Sequence, residues 1–201
     1  MLYIFIALIF DGLDGRVARL TNTTSKFGVE FDSLSDLVAF GVAPAVFFYV
    51  NLGYEFGKIG TLISGFFVVF GAIRLARFNV TTGTYEPSVF IGLPIPTAAI
   101  VSAVYIYAYT RYDFFRGFEV AFLLVQLGLA FLMVSNIRYP SFKKVDLSQA
   151  NMLKVLVLLI LAFSLLYLYT LESIFIAVSL YVFYGPLRTI YTLLCAKFKK
   201  R

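Results

Sequence analysis

Long, unbroken apolar runs cut by short polar links constrain this chain more than any other feature. They fall near residues 1–18, 27–50, 59–78, 92–109, 118–136, 153–170 and 174–194. A helix needs about 20 apolar residues to cross a bilayer. Only helices and closed barrels satisfy their backbone groups there, and the alternating pattern of barrel strands is absent. The expected fold is all-α: a polytopic transmembrane helical bundle of about seven spans, forming one membrane domain over 1–201. Composition agrees, with 61% hydrophobic and 14% charged residues, against about a quarter charged in soluble domains. Met1–Phe10 is too short to span alone and extends to about Ala18. It lacks the basic start and small-residue cleavage site of a signal peptide.

Local signals refine the runs. Pro44 should kink the second, and Gly185-Pro186 should break the last. The turn Gly92-Leu93-Pro94-Ile95-Pro96 should open the fourth, since proline suits a helix start. Gly65 and Gly71 read as helix-packing positions. The segments Val80–Phe90 and Arg138–Gln149 read as polar loops.

Seven spans alternate sides. With the Asp11–Asp36 end inside, every Lys and Arg except Lys58, Arg111 and Arg116 falls on the cytoplasmic side. This is the positive-inside bias. Lys143, Lys144 and the cluster Lys197–Arg201 read as lipid-surface charges. The net charge of +6 therefore points to anionic lipid headgroups and not to nucleic acid.

Four aspartates interrupt this apolar background in the stretch DGLDGRVARLTNTTSKFGVEFDSLSD, residues 11–36. Asp11 and Asp14 are spaced i,i+3 and share one helix face. Gly15 and Ala18 continue that face, with Arg19 beside it. Gly28, Asp32 and Asp36 make a second stripe at i,i+4,i+8. One aspartate would read as a cap or a solvated charge. Four of them, aligned with small residues beside membrane-length runs, read as a functional site. Converging carboxylates need a counter-charge, and a hard divalent cation prefers their oxygens. The small residues leave room for a ligand against the helix backbone.

Histidine is absent, which excludes a Ser-His-Asp triad, a Cys-His pair and a His-ligated metal. A carboxylate is then the available general base. No GxxxxGK[ST] loop occurs, so ATP or GTP hydrolysis has no support. The single cysteine, Cys195, cannot form an internal disulfide.

The pattern D-x2-D-G-x2-A-R-x8-G-x3-D-x3-D is matched without a gap by Asp11, Asp14, Gly15, Ala18, Arg19, Gly28, Asp32 and Asp36. It resembles the signature of the CDP-alcohol phosphotransferases. Eight fixed positions, each at about one in twenty, make a chance match remote. The runs GVAPA (41–45), RLARFN (74–79) and GLPIP (92–96) look like the family's phosphatidylserine synthase branch. The resemblance covers nearly the whole chain. It implies that Asp11, Asp14, Asp32 and Asp36 hold divalent metal, Mg or Mn, at the CDP diphosphate. It further implies that Gly15, Ala18 and Gly28 pack against cytidine and ribose, and that Arg19 contacts the diphosphate. Asp11 and Asp32 join that CDP-lipid site. Asp36 is the implied catalytic base toward the serine hydroxyl, CDP-diacylglycerol and L-serine are the implied substrates, and a homodimer in a prokaryotic cell membrane is the implied assembly. The family carries a further membrane helix ahead of this motif, so the count of seven spans rests on the apolar runs alone.

Arg74 and Arg77, i,i+3 at one helix end, are expected in an acceptor and phosphate pocket, with Asn79 beside them. A guanidinium fork matches a carboxylate or phosphate oxygen pair, although snorkelling anchors would look alike in sequence. Two other readings compete: the same chemistry with glycerol phosphate, inositol phosphate or an archaeal ether lipid, and an ion-coupled carrier using the aspartates for cation transport. The clustering of the charges at one end, away from the midplane, speaks against the carrier.

Overall fold

A computed structural model describes residues 1–81, 89–140 and 152–199. The described chain is a helical bundle, with α1 at Leu2–Leu20, α2 at Lys26–Asp36, α3 at Ala43–Asn51 and α4 at Lys58–Thr81. It continues through α5 at Ile95–Arg111, α6 at Glu119–Val134, α7 at Met152–Leu168 and α8 at Thr170–Lys199. Helices thus cover all seven apolar runs. Among the described residues three stretches are long and apolar enough to cross a membrane: Lys26–Asn51, Lys58–Thr81 and Thr170–Thr192.

The chain reverses between α1 and α2 at Asn22, whose φ of 54° is one that asparagine tolerates. Ser25 then caps α2, its hydroxyl accepting from the Gly28 N–H at 3.0 Å. Helix α2 runs into α3 through a π-helical turn at Leu37–Val42. Pro44, in the first turn of α3, lacks an N–H for the regular ladder, and the widened turn absorbs that break. The expected kink is thus a π turn placed directly after Asp36.

Helix direction alternates. The ends of α4 and α6 meet where Arg77 bonds the Val134 carbonyl at 2.9 Å. The other end of the bundle joins α5 to α8, where the Tyr112 hydroxyl donates to Glu172. One apolar core runs through the bundle and includes Ile4, Phe40, Phe67, Leu93, Ile95, Leu129, Met133, Tyr139 and Val182. A second packs Phe48, Leu52, Ile63, Ile106 and Phe122. Gly71 is a packing position, since a Cβ there would meet Ile95 at 2.7 Å. At Gly65 nothing among the described residues lies within 4 Å of the Cβ site, and the glycine borders a groove lined by Val42, Val46, Tyr49 and Val68.

Two expectations need correction. The described ends of both polar loops pair as an antiparallel ladder, β1 at Val89–Ile91 and β2 at Arg138–Pro140, with Phe90 opposite Tyr139. Short strands of this kind carry no periodic signal. Helix α8 continues through Gly185-Pro186 without a break. Lys143 and Lys144, with Lys200 and Arg201 of the basic tail, lie outside the described residues.

Candidate active site

The site lies where α1, α2 and α4 present their polar residues. One carboxylate oxygen each from Asp11, Asp32 and Asp36 fall within 4.8 Å of one another. Asp11 and Asp36 are half-buried and Asp32 is exposed. The Asp11 and Asp36 carboxyl groups face each other from α1 and α2. Three hard oxygen donors converging from two helices suit a divalent cation, which would offset their mutual repulsion. The residues present therefore fit a metal of the expected class.

Asp14 lies beside this trio, within electrostatic reach of Asp11 and Asp32. It lies one turn beyond Asp11 on the same helix, is exposed, and its Oδ1 accepts from the next residue's backbone N–H, that of Gly15. Arg19 folds back over α1, its guanidinium 3.5 Å from the Cβ site of Gly15. Ala18 is half-buried on that face. Gly28 sits in the capped first turn of α2, where a Cβ would press on the Ser25 hydroxyl at 3.2 Å. Asn79 reaches from α4 to α2, donating to the Ser33 hydroxyl at 2.9 Å. That bond ties the two helices together at the residue after Asp32.

The arginines of α4 part company. Arg74 is buried, with 7% of its surface exposed. Its guanidinium lies over the Phe78 ring, 5.3 Å from the centroid, and within electrostatic reach of Asp36 and Tyr181. Among the described residues it makes no hydrogen bond. A buried guanidinium beside a carboxylate cluster, with donors to spare, suits an anionic ligand.

Arg77 is spent on the fold. Its Nη1 donates to the Val134 carbonyl at 2.9 Å and reaches Asn136 Oδ1 at 3.5 Å. Its Nη2 faces the carbonyls of Ile91, Met133 and Ser135 at 3.0, 3.1 and 3.2 Å. These include the last carbonyls of α6, which no helical N–H can satisfy. The guanidinium thus caps α6 from another helix and pins β1 to it. A spacing of i,i+3 made the two arginines look equivalent. One turn of offset sends one toward the aspartates and the other into main-chain carbonyls.

Sequence reasoning missed Ser25 and Tyr181. Ser25 had a signal, a serine three residues before Gly28 at the start of a helix. Tyr181 had none, being one apolar-run aromatic among many.

The family model of the CDP-alcohol phosphatidyltransferases matches residues 1–134. A CDP-diacylglycerol–serine O-phosphatidyltransferase from Helicobacter pylori strain J99 is 51% identical over 195 residues, 96% of this chain and 81% of that protein. One from Methanocaldococcus jannaschii is 42% identical over 139 residues, 69% of this chain and 62% of its own. An archaetidylserine synthase from Methanothermobacter thermautotrophicus is 41% identical over 138 residues, 67% of this chain and 55% of its own.

Proposed function

The chain belongs to the CDP-alcohol phosphatidyltransferase family, and from that premise we propose that it moves the phosphatidyl group of CDP-diacylglycerol to the hydroxyl of L-serine. The products are phosphatidylserine and CMP. The observation that carries the acceptor is 51% identity, along 96% of the chain, to a relative bearing that activity in its name.

In this reading Asp11, Asp32 and Asp36 hold one divalent cation, Mg or Mn, and Asp14 holds the outer part of the same metal-diphosphate assembly. Bound there, the cation supplies Lewis-acid neutralisation of charge on the diphosphate. Gly15, Ala18 and Gly28 let the cytidine and ribose lie against α1 and α2, and Arg19 swings from Gly15 to the diphosphate. Arg74 holds the carboxylate of serine, which orients its hydroxyl toward the phosphorus. Asp36 removes the hydroxyl proton as the serine oxygen attacks the phosphorus that carries diacylglycerol. The phosphorus–oxygen bond to CMP breaks, and CMP leaves with the electron pair. Asp36 returns its proton to solvent.

The proposal extends to placement: one domain, seven spans, a prokaryotic cell membrane, the Asp11–Asp36 end toward the cytoplasm, and a homodimer. The archaetidylserine synthase relative favours a second reading in which only the lipid changes, to an ether type. Both are tested with purified protein and radiolabelled CDP-lipids. Serine, glycerol 3-phosphate and inositol phosphate are each offered with ester and ether donors. Labelled phosphatidylserine and CMP released with serine alone support the first reading, and loss of turnover in excess EDTA supports the metal. Release with a phosphorylated acceptor instead would overturn it, and cation uptake without CMP would favour a carrier.

A further inference from the structure

Helix α8 crosses Pro186 without a break, and the reason lies outside the helix. A regular α-helix would pair the Val182 carbonyl with the N–H of residue 186, which proline does not have. The Tyr139 hydroxyl of β2 donates to that same carbonyl at 3.3 Å. Residue 185 is the glycine that lets it do so, because a Cβ there would lie 2.5 Å from the Tyr139 ring. Tyr139 is fully buried, and its ring stacks on Tyr181 with centroids 5.5 Å apart and planes at 30°. Tyr181 precedes Val182 and lies within electrostatic reach of the Arg74 guanidinium. Burial, with the Tyr181 hydroxyl beside it, pushes the Tyr139 phenol up to about 12, so it stays a donor across the working range.

We propose that Tyr139 is a positioning residue for the acceptor step: by bonding the carbonyl that Pro186 leaves unpaired and stacking on Tyr181, it sets the wall of the Arg74 pocket. Proline makes the carbonyl available and glycine makes the space. The ring of Tyr139 then couples the β1–β2 ladder, which Arg77 pins to α6, with the side chain that flanks Arg74. This rests on the reading of Arg74 as the acceptor's anchor.

Two substitutions made separately and together test it. Tyr139→Phe keeps the ring and removes the bond. It should raise the KM for serine about 2- to 10-fold, on the scale of one lost hydrogen bond, with the KM for CDP-diacylglycerol unchanged. Pro186→Ala restores the helical N–H, so Val182 no longer needs the phenol. In that background Tyr139→Phe should change neither the KM for serine nor the thermal midpoint further. Equal effects of Tyr139→Phe in both backgrounds would overturn the proposal. So would a rise in both KM values together, which marks general loosening. Arg74→Lys serves as the control on the underlying reading. If it raises the KM for serine while Tyr139→Phe does not, the positioning role fails and the pocket stands. If Arg74→Lys leaves it unchanged, the pocket reading fails first.

Discussion

At the scale of single residues, the three gathered carboxylates differ in where they stand. Asp36 is half-buried, lies next to Asp11, and alone of the trio has Arg74 among the charges it feels. It is therefore placed to serve an acceptor held by Arg74, whereas Asp11 faces Asp36 from the other helix. Asp36→Asn should lower turnover about 10²–10⁴-fold, the usual range for a lost general base, and should cost less CDP-lipid affinity than Asp11→Asn. Asp11→Asn should lose that affinity. Equilibrium binding of CDP-lipid to both variants checks the division, and equal losses would make Asp36 chiefly a ligand. Arg74→Lys should raise the KM for serine roughly 10- to 150-fold, the equivalent of about 1.5–3 kcal/mol for a hydrogen bond to a charged group. An unchanged KM would make Arg74 a plain anchor.

Elements are held at the site's end by one node. Gly92, at φ 76°, begins the turn into α5, and its N–H donates to the Ile137 carbonyl at 2.8 Å. A Cβ there would collide with the Met133 carbonyl and the Arg77 guanidinium. Only glycine meets both demands, the left-handed backbone and the missing side chain. Gly92→Ala should then cost about 1–3 kcal/mol. That is a fall of roughly 2–12 °C in the thermal midpoint of the detergent-purified protein. A midpoint within a degree of wild type would show that the node yields freely. Much of this scale was legible in sequence. The helices fall on the apolar runs, and proline at 94 and 96 marks the start of α5. The β1–β2 ladder was not legible, because three-residue strands leave no pattern and form only where α4 and α6 bring their flanks together.

For the whole molecule, the basic bias of the sequence carries the proposed orientation. The Asp11–Asp36 end, the Arg77 node and the start of α5 share one end of the bundle, while Asp113, Arg116 and Glu172 lie at the other. In a Cys195→Ser background, an impermeant thiol reagent added outside intact cells should label Asp113→Cys and not Thr24→Cys. The Asp113–Arg116 pair at 3.1 Å is highly exposed, and such pairs contribute little, so its removal leaves the fold intact. The opposite labelling pattern would invert the topology.

Sequence alone determined the helical membrane class, the polar end and the family motif, because all three rest on local quantities: run length, residue spacing and charge. Partners distant along the chain were decided by packing. Spacing made Asp11, Asp14, Asp32 and Asp36 a set of four, and the tertiary fold brings oxygens of Asp11, Asp32 and Asp36 within 4.8 Å of one another, with Asp14 beside them bonded to the Gly15 N–H. Spacing made Arg74 and Arg77 a pair, yet Arg77 is claimed by a carbonyl 57 residues away. Pro186 promised a break, and a tyrosine 43 residues before Val182 closes it. The last two outcomes depend on which buried polar group finds a partner where water cannot reach, and only the assembled helices determine that.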